Sequence, residues 1–365
     1  MNSKHSKPVL FRVTNNLDLG GVQRRLYALL PELTPFYHVH IVTYKKKGIL
    51  FEELQKKGVF CHYLPLRGKW DPIGIIKMAR LFKKYQADIV HTHSFGGNIS
   101  GILAAFIAGV PVRIGQVHLA KLHWYARGLH RKKQIFEENI IHLLLSKKIL
   151  FVSKESLNYF LQHTIGLKSK CLILHNGINL TQNIKTKKTE LTNLKQIKIG
   201  FVGRIARGKG LDYFLNFALE VLKQDKNYLF VVIGGGDITF WKSKIPAWAK
   251  ENILFLGQKK DVFSYYLDLD LLLFTSEPEV EGMPGVVLEA CGCGLPILAR
   301  ESEPVKEIKE YYSRIMFIDE KKTALENLSK ALAMPRVSTD KLLEHFSLKA
   351  MRDRTLTLYQ SLLCK

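Results

Sequence analysis

The 365-residue chain is poor in cysteine, in acidic residues and in long apolar runs, and each shortage excludes something. Its five cysteines, Cys61, Cys171, Cys291, Cys293 and Cys364, are odd in number and show neither a disulfide framework nor a zinc-ligand spacing. A reducing compartment, the cytoplasm, is the expectation. The nearest approach to a membrane span is 94–112, which is uncharged but interrupted by Gly96, Gly97, Gly101, Gly109, Asn98 and Pro111. A spanning helix needs about 20 mostly apolar residues without such breaks. The basic start MNSKHSKPVLF carries no apolar stretch of signal-peptide length. Disorder is excluded too, because 47% of the residues are hydrophobic.

The shortage of acid is local. Residues 1–175 hold 27 Lys and Arg against 9 Asp and Glu, a net of +18, whereas 176–365 hold 28 against 23, a net of +5. Twelve of the 13 His also lie in the first half. Such asymmetry predicts that the first half meets something anionic: nucleic acid, a membrane surface or a phosphorylated substrate. A Lys-rich proteome is the bland alternative, but a global habit should not spare the second half.

Short apolar runs alternate with helical patterns. Residues 9–14, 39–43, 59–64, 89–91 and 112–117 read as buried strands, with helices at 73–85 and 99–108 and a helix opened by Gly20-Gly21. After a polar stretch, 179–195, the alternation resumes with strands at 197–202, 228–233, 253–256, 271–275 and 296–299. Helices are predicted at 211–222, 324–333 and 349–363. The pattern is α/β: parallel sheets covered on both faces, Rossmann-like, in tandem. We divide the chain into an N-terminal domain (1–178), a linker (179–195), a C-terminal domain (196–345) and a C-terminal helix (346–365). In such folds ligands bind beyond the carboxyl ends of the strands, so the residues there are the ones to search.

Two segments stand out. GRIARGKG, 203–210, follows a strand and places Arg204 and Lys209 at the mouth of a helix, an arrangement suited to phosphate. It is not a P-loop, because GxxxxGK[ST] is absent. SEPEVEGMPGVVLEACGCGLPIL, 276–298, crowds Glu277, Glu279 and Glu281 into a Gly/Pro loop, followed by Glu289 on an apolar helix. A helix starting near Gly285 sets Glu281 in the entry loop and Glu289 one turn in, beside the N–H groups of Gly285 and Val286. Amides and cations would take a diphosphate, and carboxylates would accept hydrogen bonds from sugar hydroxyls.

The spacing Glu281-x7-Glu289, within EGMPGVVLEACGCGLPIL, resembles the E-x7-E signature of retaining glycosyltransferases of the GT-B fold, family GT4. GRIARGKG resembles that family's diphosphate loop, LGGVQRRLYALL its Gly-Gly loop, and DIVHTHSFGGNISGILAAFIAGVPVRIGQVH its strand–His–helix–strand pattern. The likeness spans about residues 9–345. It implies two Rossmann-like domains facing each other across a cleft, with the C-terminal helix packing back towards the N-terminal domain. It also implies transfer of a hexose from a nucleotide-diphosphate sugar to a glycan or lipid-linked glycan, with retention of configuration. That chemistry belongs to cell-surface polysaccharide, lipopolysaccharide or glycolipid synthesis. By the same resemblance Arg204, Lys209, Gly285, Val286 and Gly21 serve the donor diphosphate and Glu289 the ribose. Glu281 contacts the donor sugar, and His118 lies near the transferred sugar or the acceptor. Gln23 departs from the Glu common in relatives.

No metal and no cofactor beyond the co-substrate is expected. Asp268-Leu269-Asp270 mimics a DxD metal motif but sits at a strand entry; Cys291-x-Cys293 has no second pair. His91 and His93 read as cleft-lining or hydrogen-bonded structural residues. Two stretches, 67–84 and 121–133, mix basic residues with Trp and other apolar residues. They suit an anionic membrane surface, peripheral on its cytoplasmic face. A sugar-nucleotide epimerase of the same fold and a basic nucleic-acid-binding protein are the competing readings. The second leaves the Glu281/Glu289 pair unexplained, and no nucleic-acid partner is expected.

Overall fold

The computed structural model describes residues 7–119, 128–180 and 189–364. The stretch 181–188 of the expected linker and 121–127 of the second basic segment lie outside the described residues. The chain forms two compact units: residues 1–177 with 348–365, and residues 178–347.

Unit 1 is built on seven strands: β1 (Val9–Thr14), β2 (His38–Thr43), β3 (Phe60–Tyr63), β4 (Ile89–His93), β5 (Val112–Val117), β6 (Lys148–Phe151) and β7 (Cys171–Ile173). Every pairing is parallel, in the order β3-β2-β1-β4-β5-β6-β7. The strands are joined by α1 (Gly21–Leu33), α2 (Phe51–Lys56), α3 (Pro72–Lys84), α4 (Ser94–Ile107), α5 (Gly128–Leu145) and α6 (Lys154–Gln162). The central strands β1 and β4 are buried at every position. Helices must therefore cover both faces, as a parallel sheet requires. The order reverses between β1 and β4, which makes their carboxyl ends the ligand-binding crevice of this topology.

Unit 2 repeats the plan with β8 (Ile197–Val202), β9 (Tyr228–Ile233), β10 (Ile253–Gly257), β11 (Leu271–Phe274), β12 (Ile297–Ala299) and β13 (Ile315–Phe317). Their order is β10-β9-β8-β11-β12-β13, again parallel throughout. Its helices are α7 (Leu211–Gln224), α8 (Ile238–Ser243), α9 (Phe263–Asp268), α10 (Gly285–Gly292), α11 (Glu303–Lys309), α12 (Ala324–Leu332) and α13 (Asp340–Phe346). Here the reversal lies between β8 and β11. Residues 189–195 are held to this unit: Leu191 is buried, Glu190 pairs with Lys259 at 2.7 Å, and Thr192 donates to Asp268 at 2.9 Å.

One helix start differs from the sequence reading. α4 begins at Ser94, not near residue 99, because the Gly96-Gly97 turn packs against Tyr44 and is helical despite its glycines. Ser94 itself takes a left-handed φ of 68° immediately after β4, a conformation costly for a non-glycine residue.

The last helix, α14 (Leu348–Leu363), belongs to unit 1. Its buried residues Met351, Thr355, Tyr359 and Leu362 recur at helical spacing, and Met351, Tyr359 and Leu362 join the core that contains Leu26, Leu29 and Leu33 of α1. Tyr359 meets Tyr37 edge to face, centroids 5.7 Å apart. Tyr359→Ala removes a fully buried ring and should cost about 3–5 kcal/mol. Chemical denaturation is the check, and a loss below about 1 kcal/mol would contradict this packing.

Candidate functional site

In unit 2 the two loops at the order reversal come together. The loop after β8 carries Gly203 to Gly210, and the loop after β11 carries Thr275 to Pro284. The backbone N–H of Glu277 donates to the Gly208 carbonyl at 2.8 Å, and the Thr275 hydroxyl donates to the Lys209 carbonyl at 3.5 Å. Gly210 opens α7 at φ 70°, and a Cβ there would lie 2.0 Å from the Thr275 carbonyl oxygen. Only glycine combines that conformation with that approach. The β8 loop is braced on its other side as well. Ile205 N–H donates to Gly235 O at 2.8 Å, and a Cβ on Gly234 would lie 1.7 Å from the Gly203 carbonyl oxygen.

This bracing sets Lys209 against Glu281. Their side chains, each about one-fifth exposed, form an ion pair and line a recess together with Gly203, Thr275, Ser276 and Val286. The Ser276 hydroxyl also donates to Glu281, at 3.4 Å. Gly285 and Val286 open α10, whose N-cap, Pro284, offers no side-chain acceptor to the first turn. Unpaired N–H groups at a helix start are an anion-binding arrangement. Arg204 is exposed and has no side-chain partner among the described residues. Glu289, one turn into α10, accepts from the Tyr266 hydroxyl at 3.1 Å.

Asp268 and Asp270 have structural roles. Asp268 accepts from the hydroxyls of Thr189 and Thr192, and Asp270 from the Lys198 N–H at 2.8 Å, tying β11 to β8. Cys291 is fully buried and Cys293 largely so, and burial raises both thiols, that of Cys293 to about 12.

In unit 1 the crevice between β1 and β4 contains a polar network. Arg12 of β1 is 1% exposed. Its Nε donates to His93 Nε2 at 3.0 Å, and its Nη1 lies 2.9 Å from His91 Nδ1 and bonds the Tyr359 hydroxyl. His91 Nε2 lies 3.1 Å from Gln116 Oε1, and His93 Nδ1 lies 2.8 Å from His118 Nε2. Among the described residues no carboxylate forms an ion pair with Arg12, so its charge is met by neutral acceptors. Two buried atoms end the network without a partner among the described residues, Gln116 Nε2 and His118 Nδ1. Gly21 lies at the start of α1, where a Cβ would be 3.7 Å from Arg25 Nη1. Gln23 is tied to Asn15 at 3.1 Å.

The sequence reading had His91, His93 and His118 but missed Arg12, Gln116 and Tyr359. The one available signal was a lone Arg inside an otherwise apolar strand.

The geometry thus defines a class: two doubly wound α/β units, one carrying a basic-acidic recess beside a helix start. Comparison with known proteins gives the family. The model described as "Glycosyl transferases group 1" matches residues 196–333, and "Glycosyltransferase Family 4" matches 19–182. The chain belongs to this glycosyltransferase family and has its GT-B type of fold. It is 27% identical over 320 residues to a capsular polysaccharide biosynthesis glycosyltransferase, CapH, of Staphylococcus aureus, covering 84% of this chain and 85% of the relative. It is 26% identical over 321 residues to the UDP-Gal:alpha-D-GlcNAc-diphosphoundecaprenol alpha-1,3-galactosyltransferase of Escherichia coli, covering 82% and 80%. Among solved structures, Anabaena HepE in complex with UDP superposes with a TM-score of 0.78 at 14% identity, covering 97% of this chain and all of that one.

Burial depresses the network histidines. His91 and His93 fall well below the ordinary 6.5, first from burial and then from Arg12. His118 is pushed down to about 3 by burial, then by Arg25 and Arg12, and His40 to about 3 by burial, then by His62 and His38. Unfolding frees these rings to bind protons, so the unfolded state gains protons as pH falls below about 6.5. Stability from these groups is complete above that pH and is lost as pH falls towards about 3. The thermal midpoint should decline steadily below about pH 6.5. A flat profile down to about pH 5 in differential scanning calorimetry would refute the buried, neutral state.

Proposed function

We propose that the protein transfers a hexose from a nucleotide-diphosphate sugar to a lipid-linked or polymeric glycan, with retention of configuration, in the synthesis of a surface polysaccharide. The observation that carries the reading is the meeting of Lys209 and Glu281 at one recess beside the start of α10. The family and the relatives named above support it.

In this reading Lys209, Arg204 and the N–H groups of Gly285 and Val286 take the donor diphosphate. A diphosphate arriving there competes with Glu281 for Lys209 and frees the carboxylate to accept from hydroxyls of the donor sugar. Glu289, oriented by Tyr266, accepts from the ribose hydroxyls. Gly21 serves the donor phosphate, and His118 serves the transferred sugar or the acceptor. As the glycosidic bond breaks, charge builds on the departing diphosphate. Cations and amides already fixed in place stabilise that charge without reorganising, and this is the main catalytic contribution. The departing phosphate oxygen helps take the acceptor proton on the same face of the sugar. The step needs no metal ion, and Asp268 and Asp270 are committed to structural hydrogen bonds.

For unit 1 we propose an anionic membrane surface as partner. α3 and α5 both pack on α4, and they expose Ile73, Ile76, Leu129, Phe136 and Leu144 among basic residues that include Lys77, Arg80, Lys132 and Lys133. The acids of α5 are engaged: Glu137 by Lys69 and Trp70, and Glu138, buried, by Asn98. Among the described residues no helix is long and apolar enough to cross a bilayer. Exposed apolar side chains on helices that also carry exposed cations match an anionic lipid interface.

Two experiments follow. Titration with UDP-, GDP- and ADP-sugars should find a donor whose affinity drops about ten- to a hundred-fold in Lys209→Ala and Glu289→Ala. Glu281→Ala should lower turnover with that donor, and normal turnover in that variant would contradict its role. Product analysis separates transfer from epimerisation. In vesicle flotation the protein should rise with phosphatidylglycerol-containing vesicles and not with pure phosphatidylcholine. Added salt should weaken the association, and equal behaviour with both lipids would remove the membrane partner.

A further inference from the structure

The network in unit 1 has a direction, because an arginine can only donate. The Nε–H of Arg12 points at His93 Nε2, 3.0 Å away, so that nitrogen carries no proton. The neutral His93 ring therefore holds its proton on Nδ1, which faces His118 Nε2 at 2.8 Å. His118 Nε2 must accept, and the His118 proton is forced onto Nδ1. The second arm runs the same way. Arg12 Nη1 can only donate, so His91 Nδ1, 2.9 Å from it, carries no proton, and His91 Nε2 donates to Gln116 Oε1 at 3.1 Å. Each arm ends in an N–H group that is buried and unpartnered among the described residues: His118 Nδ1 and Gln116 Nε2. Residues 116 and 118 are two apart, so both project from the same side of the chain at the end of β5.

We infer that Arg12, acting through His93, fixes His118 in the Nδ1–H tautomer, so that His118 meets a substrate oxygen as a neutral hydrogen-bond donor and cannot serve as a general base. Arg12 and His93 are positioning residues: neither needs to touch substrate. A proton taken up at His118 Nε2 would face the Nδ1–H of His93, and His93 has no freedom to reverse, because its Nε2 is held by Arg12. A base that needs an open nitrogen is thus excluded at both ring positions. The role of His118 towards a sugar or phosphate oxygen rests on the glycosyltransferase reading above; the tautomer does not.

The test is nitrogen NMR of the full-length protein labelled with 15N-histidine, with couplings to the ring carbon protons reporting which nitrogen bears hydrogen. Signals are assigned by single substitution. The expected result at neutral pH is His93 and His118 protonated on Nδ1 and His91 on Nε2. A His118 ring protonated on Nε2, or charged, overturns the inference in the unaltered protein, whatever the variants do. In Arg12→Met the fixed donor is gone, and His118 should redistribute towards the Nε2–H form. An unchanged His118 in a folded Arg12→Met protein would show that Arg12 does not set it. Activity supplies the second arm, with UDP-glucose as the first donor tried and the other nucleotide sugars after it. His118→Asn restores an N–H near the Nδ1 position and should keep turnover within about tenfold of the parent, whereas His118→Leu should lose clearly more. Equal losses in the two would overturn the donor role. If no nucleotide sugar binds or reacts, the glycosyltransferase reading fails while the NMR result still decides the tautomer.

Discussion

A buried guanidinium organises unit 1. Arg12 sits on the central strand with almost no exposure and no carboxylate partner among the described residues, a placement that penalises the charged form and lowers its pKa. Burying a charge is tolerable only when its hydrogen-bonding capacity is met. Here that need recruits His91 and His93 from β4 and Tyr359 from α14, and through them Gln116 and the residue that follows β5, His118. One cation therefore couples two neighbouring strands, the end of a third and the C-terminal helix, and it does so at the crevice where this topology binds ligands. A partly satisfied polar cluster would be worse than an apolar core. The two loose ends of this one, Gln116 Nε2 and His118 Nδ1, lie at the carboxyl end of β5.

Unit 2 reaches its site by different means. Its loops carry opposite charges, and their approach is made possible by backbone rather than by side-chain networks. Gly210 and Gly234 admit carbonyl oxygens into space that any Cβ would occupy. The ion pair of Lys209 and Glu281 is the visible result, but the glycines are what allow the loops after β8, β9 and β11 to stack. The pair is partly exposed, so its worth to stability is modest; in the proposed function its significance lies in setting a cation and a carboxylate where a phosphate and a sugar divide them.

Much of this was legible in the amino-acid sequence. Continuous apolar runs such as 228–233 announced buried parallel strands, and the glycines and cations of 203–210, with the carboxylates of 276–289, pointed to one crevice. The start of α4 was hidden because Ser-Phe-Gly-Gly-Asn reads as a loop until packing against Tyr44 is known. Arg12 was hidden for a different reason. Its partners lie 79, 81 and 347 residues away along the chain, and no local pattern encodes contacts of that range. His118, by contrast, could be named from its motif, while the direction of its hydrogen bonds could not.

The placement of α14 has a consequence for how the molecule is made. Unit 1 is completed by residues translated after unit 2: Met351, Tyr359 and Leu362 join a core whose other members are translated far earlier. During synthesis the first half emerges with a gap along α1 and with Arg12 lacking its tyrosine. Full consolidation of that half therefore waits for α14, which is translated after all of residues 178–347.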